Sequence, residues 1–128
     1  MVPYFEKLKK DGAEYLPITD YEMTRFFIQP DEAVTRILEA VKLMRGGEIF
    51  CPKMTSLKIV DVAKMIAPNM PTKEVGMRKG ERLHEKMLTS AEIAMTYARK
   101  NFYIVNGSGK KVSKNFVYSS ENHLEGKI

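Results

Sequence analysis

Between Pro30 and Gly47 the chain carries its strongest periodic signal. Val34, Ile37, Leu38, Val41 and Met44 follow one another at steps of three, one, three and three residues, so they share one face of a helix. Pro30 suits the first turn of such a helix, and Asp31 and Glu32 fall at the positive end of its dipole. Lys42 and Arg45 fall at the negative end, and Gly46-Gly47 closes it. A helix with this much apolar surface along one side needs something to lay it on. Together with the short extended runs on either side, it points to an α/β fold.

The remaining elements can be read around that helix. Met1–Lys10 is expected to be helical, with Pro3 in its first turn, Tyr4, Phe5 and Leu8 on one face, and Gly12 ending it. Tyr15–Thr19 is extended, and Pro17 confines it to a sheet edge or a ligand-facing position. Thr24–Gln29 is rich in β-formers, and Glu48–Pro52 reads as a buried strand. Ile59–Ala67 reads as a helix stopped by Pro68, and Pro71–Met77 as an extended lead into a glycine turn. Two helices are then expected, Glu81–Leu88 and Ala91–Ala98, with Thr89-Ser90 capping the second. Phe102–Val105 and Asn115–Ser119 read as strands across a Gly107-Ser108-Gly109 turn, followed by a loose polar tail from Glu121. The 128 residues make one domain, 1–128. The sequence has no glycine-rich turn between a leading strand and its helix, so the dinucleotide-binding half of a Rossmann fold is not expected in it.

Composition removes several function classes. No apolar run approaches about 18 residues and Met1–Gly12 has no signal-peptide core, so no membrane association or export is expected and a cytoplasmic location follows. With one cysteine, Cys51, and two distant histidines, neither an internal disulfide nor a zinc ligand set can form. The net charge of +5 is spread along the chain, without a basic helix interleaved with aromatics or a zinc-finger or RNP pattern. No nucleic-acid partner is expected, and a mild positive excess serves equally well for small phosphorylated ligands.

The candidate site centres on Gly76–Leu88. Arg78 precedes the Gly80 turn and Glu81 sits in the first turn of the expected helix, whose free N–H groups would favour an anion. A guanidinium can grip two phosphate oxygens, and a carboxylate can accept from a pair of sugar hydroxyls. Arg25 interrupts an apolar run, so it either faces solvent from a half-exposed strand or converges with Arg78 on one diphosphate. Other features carry less. Gly107-Ser108-Gly109-Lys110-Lys111 lacks the spacing of a phosphate loop and reads as a hairpin turn. Cys51 reads as a small core residue, and His84 as a satisfied side chain at a packed edge.

Four motifs stand in the order and spacing of one family: Met23-Thr24-Arg25-Phe26-Phe27-Ile28, Gly47–Met54, Lys58–Ala63 and Arg78–Glu85. Over Val2 to about Asn122 the chain resembles the C-terminal part of the nucleotide-sugar dehydratases and epimerases of capsule and flagellin-glycan biosynthesis. These belong to the extended short-chain dehydrogenase/reductase superfamily. Asn69–Lys73 and Leu83-His84-Glu85 place the likeness nearest the inverting UDP-N-acetylglucosamine 4,6-dehydratases. The resemblance implies the C-terminal, substrate-binding portion of a Rossmann-type fold without its N-terminal dinucleotide-binding half.

It also implies roles. Pro17, Ile18 and Thr19 match a segment lying along uracil, Arg25 and Arg78 match two diphosphate arginines, and Glu81 matches an acid on the ribose hydroxyls. Cys51 stands where valine is usual and Arg82 where lysine is usual. The NADP loop, the Tyr-x-x-x-Lys pair and the catalytic threonine region precede the matched part of the family. NADP thus belongs to the full-length enzymes, and no catalytic residue and no bound cofactor are expected here. The expected function is UDP-sugar binding, inactive alone. The alternative is a non-enzymatic module that docks through its apolar helix. That helix and strand Glu48–Pro52 would belong against the missing sheet. Their bare side chains, worth about 1.5–3 kcal/mol each when buried, lead to the expectation of self-association, binding of a missing half, or loose packing.

Overall fold

The computed structural model describes residues 1–124. The elements are α1 (Val2–Lys10), β1 (Leu16–Ile18), β2 (Thr24–Phe27), α2 (Pro30–Leu43), β3 (Ile49–Pro52), β4 (Thr55–Lys58), α3 (Ile59–Ile66), β5 (Thr72–Glu74), α4 (Ser90–Ile93), β6 (Thr96–Ala98), β7 (Phe102–Val105) and β8 (Lys110–Lys111). β1 and β5 pair in parallel, β2 and β4 antiparallel, and a four-stranded sheet runs in the order β3-β7-β6-β8.

Two apolar clusters hold these pieces. In the first, Phe5 of α1 and Ile59 and Ala63 of α3 close over Leu16 and Ile18 of β1 and Met23. The residues of α3 that are buried, Ile59, Val62 and Ala63, recur at helical spacing. The second cluster gathers Cys51, Leu88, Ile93, Val105 and Tyr118, with Phe26, Tyr103 and Phe116 against it. Tyr118 lies 4.8 Å, ring to ring, from both Phe26 and Tyr103. Its hydroxyl accepts from the Met54 N–H at 2.8 Å and donates to the Pro52 carbonyl at 2.9 Å.

Helix α2 turns its surfaces the unusual way round. Val34, Ile37, Leu38, Val41 and Met44 are 56–63% exposed, and no residue of the helix is buried. Ala33, Arg36, Glu39 and Ala40 are the half-buried side. Arg36 bonds Glu32 and Glu39, both at 3.0 Å, and Asn101 donates to the Glu39 carboxylate at 3.2 Å. The helix is therefore held by its polar side, and its apolar stripe faces outward. Gly46 and Gly47, with φ of 120° and 83°, turn the chain from its end into β3.

Three expectations fail in the second half of the chain. Residues 81–88 form no helix. Gly80 takes a φ of 87°, and the chain beyond it is drawn out by distant partners: Leu83 O accepts from Thr24 N, Glu85 N donates to the Ser120 hydroxyl, and Met87 N donates to Tyr118 O. The expected helix 91–98 stops after one turn. Thr89 caps it as anticipated, in a capping box with Glu92, but Thr96–Ala98 pairs with β7 and becomes β6. Residues 115–119 are no regular strand. Ser119 makes only an isolated bridge to Lys86, and the turn at Gly107–Gly109 leads instead into β8, which pairs with β6. β4 lies where no strand was expected, antiparallel to β2. Of the tail from Glu121, residues 121–124 form a turn, with Leu124 bridged to Ser56, and the rest lies outside the described residues.

The Tyr118 hydroxyl offers a direct check on this core. Tyr118→Phe removes a partner from the half-buried Met54 N–H and the Pro52 carbonyl, so it should cost about 0.5–1.5 kcal/mol in a denaturant melt at pH 8. Burial pushes the Tyr118 phenol up to about 12, against 10.0 for an ordinary tyrosine, although the Met54 N–H pulls the other way. Between those values the unfolded chain has released a proton that the folded chain keeps, so stability falls as pH rises through that window and is untouched below it. The phenylalanine variant should lose part of that alkaline slope. Equal melts for the two proteins at pH 8 would contradict this account of the core.

Candidate functional site

A cleft of about 960 Å³ opens between α1, the β1 segment and the turn after β5. Pro17, Thr19, Arg25, Arg78 and Glu81 all line it, together with Tyr15 and Val75. Residues from three separate stretches of the sequence, 15–19, Arg25 and 75–81, thus share one cavity. Ile18 is the exception among the expected site residues, being fully buried in the first apolar cluster. Side chains alternate along an extended segment, so 15, 17 and 19 face one way and 16 and 18 the other. Ile18 still shapes the cleft through its backbone, because its carbonyl accepts from Val75 N at 2.8 Å and ties the two walls together.

The two arginines differ in their freedom. Arg25 is fixed. One terminal nitrogen donates to Thr24 O at 2.7 Å and to Leu83 O at 3.1 Å, and the other donates to Arg82 O at 2.7 Å. Its Nε lies 3.8 Å from the Glu85 carboxylate, which itself accepts from Phe26 N at 2.9 Å. Three donors are spent on carbonyls, so Arg25 offers the cleft a placed positive charge and only part of its fork. Arg78 is the opposite. Among the described residues its guanidinium makes no hydrogen bond, so both arms of the fork are available.

Glu81 binds back on the turn. Its Oε2 accepts from Arg78 N at 2.8 Å, and its own N–H donates to Arg78 O at 3.1 Å. This closed turn replaces the helix start expected there, and it removes the anion site that a helix N-terminus would have provided. What remains for an anion is the pair of arginines. For a hydroxyl there is the second oxygen of Glu81, which has no partner among the described residues.

Behind the cleft wall lies a polar network that the sequence did not announce. The Thr24 hydroxyl is 2.7 Å from His84 Nδ1 and 2.6 Å from the Ser120 hydroxyl, which accepts from Glu85 N. Thr24 and Ser120 are both buried. His84 is thus a satisfied side chain that anchors the segment whose carbonyls grip Arg25. Tyr15 was also missed, although period-two spacing from Pro17 and Thr19 was enough to place it on the cleft. Its ring has the Lys73 ammonium 5.2 Å from its centre. Cys51 is buried, and burial pushes its thiol up to about 11, so it is no nucleophile at neutral pH. Among the described residues no group of three or more His, Cys, Asp and Glu could hold a metal ion, and no helix is long and apolar enough to cross a membrane.

The chain is similar to known proteins over most of its length. Residues 1–107 match the family model described as "Polysaccharide biosynthesis protein". The chain is 41% identical to the UDP-N-acetylglucosamine 4,6-dehydratase (inverting) of Campylobacter jejuni, over 96% of this chain and 42% of that protein. It is 36% identical to the capsular polysaccharide biosynthesis protein CapD of Staphylococcus aureus, over 73% of this chain and 17% of that protein. Its structure superposes over its whole length on 41% of Pen from Bacillus thuringiensis, with a TM-score of 0.83 at 24% identity. The chain thus spans about two fifths of the length of the Campylobacter relative and of the solved structure. The architecture is α/β, and its fold is shared with that part of the solved structure. By the family model, which matches residues 1–107, the chain belongs to the polysaccharide biosynthesis protein family.

Proposed function

We propose that this chain holds the UDP moiety of a UDP-N-acetyl sugar in the cleft between α1, β1 and the 76–81 turn. In that role it is the substrate-binding portion of a 4,6-dehydratase of surface-glycan biosynthesis. The observation that carries the reading is the meeting of Pro17, Thr19, Arg25, Arg78 and Glu81 in one cavity. An NADP site and the residues of the chemical step are no part of the proposal. Among the described residues no glycine-rich strand-to-helix turn is present, and Gly107-Ser108-Gly109 instead joins β7 to β8. The residues present do not fit a dinucleotide, so no hydride step is assigned to them.

Each group has a physical task in this reading. Arg25, immobilised by three carbonyls, supplies a charge whose ordering cost was met in folding. Arg78, with its fork free, closes on the remaining phosphate oxygens. Glu81 accepts from ribose hydroxyls with the oxygen it does not spend on Arg78 N. Pro17 and Thr19 offer a flat, partly polar edge to the uracil, and Ile18 anchors that edge in the core. These groups position a substrate, and the reaction itself lies with a cofactor and residues elsewhere in the longer family members. A non-enzymatic docking module stays open as a second reading, favoured by the outward stripe of α2.

Calorimetry with UDP tests the site. The wild-type chain should bind, and Arg78→Met should weaken binding by roughly 1.5–3 kcal/mol, the scale of hydrogen bonds to a charged group. Arg25→Met should weaken it at least as much, with folding checked by circular dichroism because the variant strands carbonyls of residues 82 and 83. Equal affinity in all three proteins would return the arginines to the role of surface charges. Purified chain given UDP-N-acetylglucosamine and NADP should show no turnover, and any 4-keto-6-deoxy product above background would refute the division of labour.

A further inference from the structure

Arg25 takes its carbonyl partners from its own strand, at residue 24, and from residues 82 and 83. The second pair lies on a stretch without regular structure: among the described residues, 81–88 hold only the isolated bridge from Lys86 to Ser119. That stretch must be fixed against β2, or the three carbonyls would not converge on one guanidinium. Two N–H groups of β2 do part of this. Thr24 N donates to Leu83 O at 3.1 Å, and Phe26 N donates to the Glu85 carboxylate at 2.9 Å. The Thr24 hydroxyl supplies the rest, lying 2.7 Å from His84 Nδ1 and 2.6 Å from the Ser120 hydroxyl. Ser120 in turn holds both main-chain groups of Glu85, its Oγ accepting from Glu85 N and its N donating to Glu85 O, each at 2.9 Å. The Ser56 hydroxyl, on the strand paired with β2, braces Ser120 from a third side.

Thr24, His84 and Glu121 also stand in the order of a nucleophile, a base and an orienting acid, with His84 Nε2 3.9 Å from the Glu121 carboxylate. Burial rules that chemistry out. Thr24 is 1% exposed and does not line the cleft, so no substrate reaches its oxygen. We propose that Thr24 is a positioning residue for Arg25: its hydroxyl ties the 82–85 segment to β2 and so sets where the guanidinium stands in the cleft. A hydroxyl is required there because one hydrogen and two lone pairs can join a ring nitrogen and a second hydroxyl at once. A methyl in its place joins neither. The consequence for UDP rests on the function proposed above, whereas the positioning of Arg25 does not.

Thr24→Val keeps the side chain's shape and removes the hydroxyl, and Thr24→Ser keeps the hydroxyl. With folding checked by circular dichroism, Thr24→Val should weaken UDP binding about threefold to tenfold, and Thr24→Ser should stay within about twofold of wild type. In the Arg25→Met background, Thr24→Val should change the affinity less than about twofold, because the group it positions is gone. A merely structural role would lower affinity equally in both backgrounds. The Arg25 Nε–H resonance of the free chain, identified by its loss in Arg25→Met, gives a reading without ligand. Thr24→Val should shift it, and Thr24→Ser should return it toward the wild-type position. Should Thr24→Val fail to fold, Ser120→Ala removes the link from the other side and takes its place. Equal losses in the two backgrounds, wild-type affinity in Thr24→Val, or an unmoved Arg25 resonance would each overturn the proposal. A wild-type chain that does not bind UDP would refute the UDP reading instead, and the Arg25 resonance alone would then decide the positioning.

Discussion

Three segments of the chain meet at the Thr24 hydroxyl. It contacts His84 from the 81–88 segment and Ser120 from the C-terminal segment, and β2 itself runs on into Arg25 and Phe26. Buried hydroxyls need partners, and here each supplies the other's. The consequences spread outward. Ser120 holds Glu85 N, Glu85 holds Phe26 N, and the carbonyls of residues 82 and 83 hold the Arg25 guanidinium. The Arg25 charge in the cleft is therefore placed by a network buried behind it, and substitutions at Thr24 or Ser120 would be felt at Arg25 without touching a ligand.

The same network explains which parts of the fold were legible in the sequence. α1, α2 and α3 were readable because an apolar period of 3.6 and a proline or glycine at the boundary are local signals. β1, β2, β3, β5 and β7 were readable for similar reasons. Residues 81–88 also carry a locally sound helical pattern, yet their N–H and carbonyl groups are claimed by Thr24, Tyr118 and Ser120, up to 96 residues from one another in sequence. Non-local hydrogen bonds of this kind leave no periodic mark. The alternating aromatics Phe116 and Tyr118 looked like a strand, but their rings fill the space beside Tyr103 and Phe26. The helix from Ser90 ended after Ile93, where only the Thr89 cap could be foreseen.

The site followed the same logic. Arg25 and Arg78 were singled out because a cation in an apolar run and a cation before a glycine turn are locally conspicuous, and both line the cleft. The mechanism first attached to Arg78 and Glu81, a helix N-terminus, does not exist. The turn survives without it because Glu81 closes on Arg78 N. Ile18 was misplaced by treating a tripeptide as a unit where period-two alternation separates it from its neighbours. Helix α2 shows the limit of patterning most plainly. Its stripe was evident from spacing, but what a stripe meets is a property of the assembly, and here it meets solvent.

The central claim is that one cleft, walled by residues far apart in sequence, recognises a uridine diphosphate. Titrating isotopically labelled chain with UDP and following backbone amide resonances tests it at residue resolution. The account predicts shifts concentrated in residues 15–19, at Arg25 and in residues 75–81, with the 106–111 turn unmoved. Shifts centred on that turn, or a spectrum unchanged at saturating UDP, would contradict it.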